Sequence, residues 1–346
     1  MNILTIEGRR LVRDLRALGC DVLDISGCDR AADVLLERPL YYKGLRALLD
    51  SRGFRPDAVI WMDQGNLPVV FGLEALDCVV LGYTIDDYCN PWHVPFSACF
   101  DAVFVAQRDY VPLFEAENLP RPARWTPLFC DHERDVDAGA TRDIPVSFVG
   151  TLQPKNIPDR FPFLEAFKKR HPLYTRQGDY RPIFHRSRIV LNQSAIGELN
   201  YRVFEALGCG AACLTEQTDN GLDDIFTAGE TILPPYPKGD VEAAAAAARF
   251  WLDRPEALAA IARAGRDLVR AEHTSRSRVS LLLEWAQLLA RENAPARRLA
   301  IRQRAAVGVA TAMAFIAAEL LDPALARSRQ TYENLAQGYT SLWSRL

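Results

Sequence analysis

Short apolar runs recur through the first part of the chain, at residues 2–6, 21–25, 58–61, 78–83, 102–106 and 124–127. Between several of them the apolar positions fall at helical spacing, over 9–18, 42–51 and 110–117. Continuous apolar runs separated by amphipathic stretches predict βαβ units and a parallel sheet covered on both faces. A polar stretch, 131–143, breaks the rhythm, and the alternation restarts with runs at 146–149, 173–175, 189–191, 212–215 and 231–233. Beyond Pro237 the pattern is helical throughout: the alanine run 243–248, amphipathic segments at 256–272 and 277–292, and further helices over 295–321 and 323–344. Alanine has the highest helix propensity, so that run predicts helix and not a disordered tract. The expected organisation is α/β: an N-terminal Rossmann-like domain over 1–143, a second over 144–275 and a helical C-terminal extension over 276–346.

Composition narrows the classes. At 346 residues the chain can hold two cores of ordinary size, and a formal net charge of -3 supplies no global attraction to nucleic acid or anionic membrane. Eight cysteines are scattered with no C-x-x-C pair, which predicts free thiols in a reducing, cytoplasmic setting. The N-terminus opens directly on the strand-like NILTI. A single glycine, Gly8, follows that strand, so the G-x-G-x-x-G dinucleotide fingerprint is missing. H-E-x-x-H, G-x-x-x-x-G-K-[ST] and G-x-S-x-G are also missing, and no metal site is expected. Asp135-Val136-Asp137 has the form D-x-D but lies in the polar stretch and not after a strand. In the tail, Arg297, Arg298, Arg302 and Arg304 precede the apolar run 305–321, which is short for a membrane span and contains Glu319. It reads as a core or interface helix, with peripheral membrane contact as the alternative.

The densest chemistry lies in RIVLNQSAIGELNYRVFEALGCGAACLTE, residues 188–216. An apolar strand ends at Asn192, a loop with Gly197 and Glu198 follows, and a helix carries Asn200, Arg202 and Glu205 into Gly208-Cys209-Gly210 and a second strand. Loops and helix starts at the carboxyl ends of parallel strands are where ligands sit, so the arrangement predicts a nucleotide-diphosphate pocket. Glu205 offers paired lone pairs to the two hydroxyls of a ribose, and Arg202 a cation to a diphosphate. Gly197 would let the chain approach the phosphates closely. The same spacing also allows a salt-bridged stripe of Glu198, Arg202 and Glu205, with Asn200 as a helix cap.

Two further loops carry candidate groups. In FVGTLQPKNIPDR a strand ends in Gly150-Thr151, and Lys155 and Arg160 follow as a phosphate clamp or as solvated surface charges. In GYTIDDYCNPWHVPF, Asp86, Asp87 and His93 are candidates for general base or acceptor binding, unless an aspartate simply caps the next helix. Asp63 and Asn66 in WMDQGN are weaker members of that rim.

These segments together resemble glycosyltransferases of the GT-B architecture, in particular the CgeB-type (spore maturation protein B-like) group. The likeness rests on G-E-L-N-Y-R-V-F-E-A-L-G-C-G, on N-G-L-D-D-I-F-T-A-G-E-T-I after the next strand, and on FVGTLQPKNIPDR and YRPIFHRSRIVLN upstream. It covers about residues 145–234, with a weaker likeness at Asp86-Asp87. The resemblance implies two Rossmann-like domains facing a cleft and a metal-independent transferase with no cofactor. Its donor would be a nucleotide-diphosphate sugar, held mainly by the second domain. Glu205 would then meet the donor ribose, Asn200 and Arg202 the diphosphate, and Lys155 or Arg160 the other side of the clamp. The acceptor would be a hydroxyl of a surface glycan or of a protein such as flagellin, activated by His93 or Asp87 if the reaction inverts. Related retaining enzymes carry a second glutamate eight residues before the ribose one, and here that position is Gly197. The departure keeps open a catalytically silent sugar-nucleotide or partner-binding module; the alternative enzyme is a GT-B nucleotide-sugar epimerase, which would turn over the donor with no acceptor.

Overall fold

Runs such as NILTI and AVIWM carry apolar or β-branched side chains at nearly every position, which suits a strand buried on both faces of a parallel sheet. In the computed structural model, which describes residues 1–115, 121–153 and 157–343, those runs become the central strands of the first of two units. The first unit comprises Met1–Thr126 and Val279–Leu346, the second Pro127–Arg278.

The first unit holds seven strands: β1 (Asn2–Ile6), β2 (Asp21–Ser26), β3 (Val34–Leu35), β4 (Ala58–Met62), β5 (Val79–Thr84), β6 (Ala102–Val105) and β7 (Arg124–Trp125). Their order is β3-β2-β1-β4-β5-β6-β7, all parallel, with Ile3 opposite Val22 on one side and Ala58 on the other. Succession reverses direction between β1 and β4, so that crevice is the unit's topological switch point. The C-terminal helices Arg302–Glu319 and Ala326–Trp343 share this unit's core through Val309, Met313, Ile316, Tyr332 and Tyr339. They are therefore part of the first unit and not a separate extension. The expected helix over 295–321 is broken at Ile301 into Ala294–Ala300 and Arg302–Glu319, bent by 76°. Arg298 sits just before the break, fully buried among the carbonyls of Leu76 and Cys78 and the carboxylate of Asp101. Among the described residues no single helix is long and apolar enough to cross a membrane.

The second unit holds β8 (Ile144–Val149), β9 (Tyr174–Arg176), β10 (Ser187–Asn192) and β11 (Ala212–Thr215) in the parallel order β11-β10-β8-β9. Its switch point lies between β8 and β10. The expected strand at 231–233 is instead a turn, with Ile232 forming an isolated bridge to Ala228. The polar stretch after Pro127 is not a free linker. Cys130 bridges Thr274, and Arg278 donates to the carbonyls of Pro127 and Leu128, which ties 127–135 to the end of the long helix Pro255–Glu272. That pairing is why the division falls at residues 126/127 and 278/279 and not at Asp143.

Candidate functional site

The helix Tyr201–Gly208 starts where it does because Asn200 is extended (φ -88°, ψ 168°) and its side-chain oxygen accepts the N–H of Arg202. Val203, Phe204, Ala206 and Leu207 bury its apolar face. Arg202, in the first turn, is thereby aimed at the switch point between β8 and β10. Its Nε donates to the carbonyl of Val149 at 2.9 Å and its Nη1 to Asn192 Oδ1 at 2.6 Å. The guanidinium lies 4.3 Å from the centroid of the buried Phe148 ring. Gly150 is necessary here, because a Cβ at that position would overlap Arg202 Nη2.

Arg160 reaches the same place from the start of the helix Arg160–Lys168. Its Nε donates to Gln193 Oε1 at 2.8 Å, its Nη2 to the Gln193 carbonyl and its Nη1 to the carbonyl of Thr151. It stands 5.7 Å from the same Phe148 ring. Burial, and then the field of Arg160, lower the Arg202 pKa to about 10, so both groups remain cationic at neutral pH. The hydrogen bonds named for the two guanidiniums go to carbonyl and amide oxygens, while Glu205 and Glu198 act on Arg202 as nearby negative charges. Lys155, the third expected cation, lies outside the described residues.

The loop between β10 and the helix differs from its expected role. Gly197 has the left-handed φ of 104° that a tight loop requires. The loop's N–H groups, however, do not face an open phosphate cradle. Those of Ala195 and Ile196 donate to the carboxylate of Glu198 at 2.8 and 2.9 Å, and Ser194 donates through N–H and Oγ to Glu216. Glu216, buried after β11, also accepts from the N–H of Gly239. The N–H of Arg202 is held by Asn200. Positive charge at this switch point is therefore carried by side-chain cations more than by free backbone donors. Gln193, Glu216 and the Phe148 ring escaped the sequence reading. Their one signal was position, since each sits at the carboxyl end of a strand.

Glu205 is 6% exposed on the same helix. Its field, second to burial, raises the carboxyl of Asp135 to about 7. Asp135 in turn accepts from Tyr180 Oη and from the N–H of Asp131, and Asp137 pairs with Arg142 and Arg266. The D-x-D sequence is thus structural.

In the first unit Asp63, Asp87 and His93 come together at the carboxyl ends of β4 and β5. His93 Nδ1 lies 2.9 Å from Asp87 Oδ1, and Nε2 lies 3.6 Å from Asp63 Oδ2. Asp63 also accepts the N–H groups of Gly65, Ile85 and Asp86. Burial alone would lower the His93 pKa; Asp63, Asp87 and Asp86 outweigh it and raise it above 6.5. His93 is 1% exposed, wedged between Trp61 and Trp92, and Asp87 is buried with it. The expectation of both groups on an open rim is corrected accordingly: two carboxylates and two indoles enclose the ring. Asp86 is the partly exposed acid of this loop.

Residues 136–284 match the family model described as glycosyl transferase-like. No curated protein matches the chain in sequence. Among solved structures, sucrose-phosphate synthase from Thermosynechococcus elongatus is similar at 12% identity and a TM-score of 0.61, over 84% of this chain and 99% of that one. HepE from Anabaena, solved with UDP and glucose, is similar at 12% identity and a TM-score of 0.61, over 84% of this chain and 100% of that one. A glycosyltransferase from Rickettsia africae follows at 12% identity and a TM-score of 0.59, over 84% and 98%. The two parallel-sheet α/β units thus have the GT-B fold of these structures, and the second unit carries the stretch similar to the glycosyl transferase-like family.

Proposed function

We propose that the second unit binds a nucleoside diphosphate sugar and that the protein transfers the sugar to a hydroxyl of a glycan or protein acceptor. Within the GT-B enzymes we assign it to the CgeB-type group. The observation that carries this reading is the pair of guanidiniums, Arg160 and Arg202, held over Phe148 at the β8/β10 switch point. Two fixed cations suit a diphosphate. They also stabilise the negative charge that grows on it as the glycosidic bond breaks, so the step proceeds without a metal. Glu205 is the partner for the ribose hydroxyls, three residues further along the helix. HepE, solved with UDP and with UDP-glucose, lends the donor class its support.

The acceptor side is assigned to the first unit. Asp86 is the group for the acceptor hydroxyl, because it is the accessible acid of its loop. Asp63, whose Oδ2 accepts the Asp86 N–H at 2.8 Å, and the His93–Asp87 pair act behind it as positioning residues.

A thermal-shift screen against UDP, GDP, dTDP and CMP, with NAD as control, tests the donor site. Stabilisation by one nucleoside diphosphate is expected, on the order of 2.7 kcal/mol at a hundredfold excess over Kd, and it should vanish in Glu205→Ala. Asp86→Asn should keep that stabilisation and lose acceptor-dependent product. If no nucleotide shifts the protein, the donor reading fails.

A further inference from the structure

The amino ends of β10 and β11 open on a cavity of about 320 Å³ within the second unit, lined by Arg142, Arg188, Arg263 and Arg266 against a single acid, Asp137. Its floor is apolar, formed by Leu258, Ala259 and Ala262 of the helix Pro255–Glu272. The diphosphate site lies at the carboxyl ends of the same strands. Four residues of β10 separate Arg188 from Asn192, about 13 Å of extended chain, so the two places are distinct.

The four arginines divide by what they already bind. Arg142 is committed: Nη1 donates to the carbonyls of Phe184 and Ser187, and Nη2 to Asp137 and the carbonyl of Cys209. Arg266 is committed to Asp137 and Asp267. These two are the frame. Arg188, by contrast, spends only Nη2, on the carbonyl of Leu252, and exposed Arg263 has no hydrogen-bond partner among the described residues. Gly210, with φ 77°, keeps the cavity open, since a Cβ there would crowd Arg142 and Asp137. A net cationic cavity with an apolar floor, lined by one partly spent guanidinium (Arg188) and by Arg263, is matched to an anion carried on a carbon skeleton.

We propose that this cavity is a second ligand site, which takes a small phosphorylated molecule by its phosphate through Arg188 and Arg263. The carbon portion lies over Leu258 and Ala262. Such a site would let a phosphate ester bind the second unit while the diphosphate site is occupied.

Calorimetric titration of the full chain with glucose 1-phosphate, in 0.3 M NaCl to suppress non-specific attraction, tests this. The expected result is binding that survives Arg202→Ala and weakens at least tenfold in Arg188→Ala and in Arg263→Glu. Arg263 is exposed, so its variant keeps the test valid if Arg188→Ala folds poorly. Binding lost in Arg202→Ala and unchanged in Arg263→Glu would assign the phosphate to the diphosphate site and overturn the proposal. No binding at that salt would overturn it as well. Neither outcome touches the donor reading, whose own test uses nucleotides and Glu205→Ala.

Discussion

Arg202 Nη1 donates to Asn192 Oδ1 at 2.6 Å, so a first-turn helical cation is locked to the last residue of the neighbouring strand. Asn192 is itself fixed, its Nδ2 donating to Thr215 Oγ1 at 2.9 Å and its carbonyl accepting Tyr236 Oη at 2.7 Å. The guanidinium is therefore preorganised before any ligand arrives, and little reorganisation opposes anion binding.

Replacing Arg202 with alanine should weaken nucleoside diphosphate binding by about ten- to a hundredfold, the range of a charge-assisted hydrogen bond. Lysine should rescue little, because its single nitrogen cannot stand at the positions of Nε, Nη1 and Nη2 at once. Gly150→Ala should imitate the loss by displacing Nη2. Calorimetric Kd values for the three variants check this, and an unchanged Kd in Arg202→Ala would remove the cation from the site.

Glu198 makes the opposite prediction. Its carboxylate accepts the N–H groups of Ala195 and Ile196, which places a negative charge beside the proposed diphosphate position. Glu198→Gln removes that charge while keeping the shape, so nucleoside diphosphate should bind several-fold more tightly at low salt. The loop should loosen, since an amide offers one acceptor oxygen in place of two. Faster amide exchange at Ala195 and Ile196 together with a lower Kd is the expected pair of results. A weaker Kd would mean that the loop's order matters more than its charge.

The strands were legible because their apolar runs are continuous, and the helix 201–208 because Asn200 and Gly210 punctuate it. Arg202 could be located from the same pattern, since a strand-loop-helix unit specifies which side chain meets the carboxyl end of the sheet. His93 was misplaced for a definable reason. Trp61 lies some thirty residues earlier in sequence, and only the sheet brings it against the imidazole ring. The roles of Glu198 and Glu216 were hidden likewise, because backbone N–H donors leave no trace in residue types. Part of the tail's attachment to the first unit comes from a buried arginine, Arg298, which in sequence is indistinguishable from its exposed neighbour Arg297.

Asp135 should give the second unit a pH-dependent stability. Its carboxyl is raised from 3.8 to about 7, chiefly by burial and then by Glu205. A raised value means that the folded state prefers the protonated form. Its favourable contribution is thus complete below 3.8 and is lost as pH rises to about 7. Through 1.36 kcal/mol per unit the effect is about 4 kcal/mol at most. The thermal midpoint of the second unit should fall as pH rises from about 4 to 7, and Asp135→Asn should flatten that slope. An identical slope in the variant would assign the pH dependence to another group.

The clearest stability prediction concerns the pair Arg298 and Asp101. Both side chains are fully buried, and Asp101 Oδ2 also accepts the N–H of Val80 at 2.8 Å. Arg298 donates further to the carbonyls of Leu76 and Cys78 at 2.6 and 2.8 Å, so one side chain satisfies the ends of several core segments. Arg298→Ala would leave the Asp101 carboxylate buried with the Val80 N–H but no compensating charge, and would strip the carbonyls of Leu76 and Cys78 of this donor, a loss of about 3–5 kcal/mol. For a unit of this size that corresponds to a midpoint lower by roughly 6–20 °C. Asp101→Asn in the same background should recover part of the loss, because the uncompensated charge is then gone. The proposed nucleotide site lies in the second unit, so nucleotide binding should be unchanged at temperatures where both variants are folded. Differential scanning calorimetry of the single and double variants decides it: a shift below 1 kcal/mol in Arg298→Ala would show that the C-terminal helices hold to the first unit without this ion pair, through apolar packing and the hydrogen bonds of Tyr332 and Tyr339.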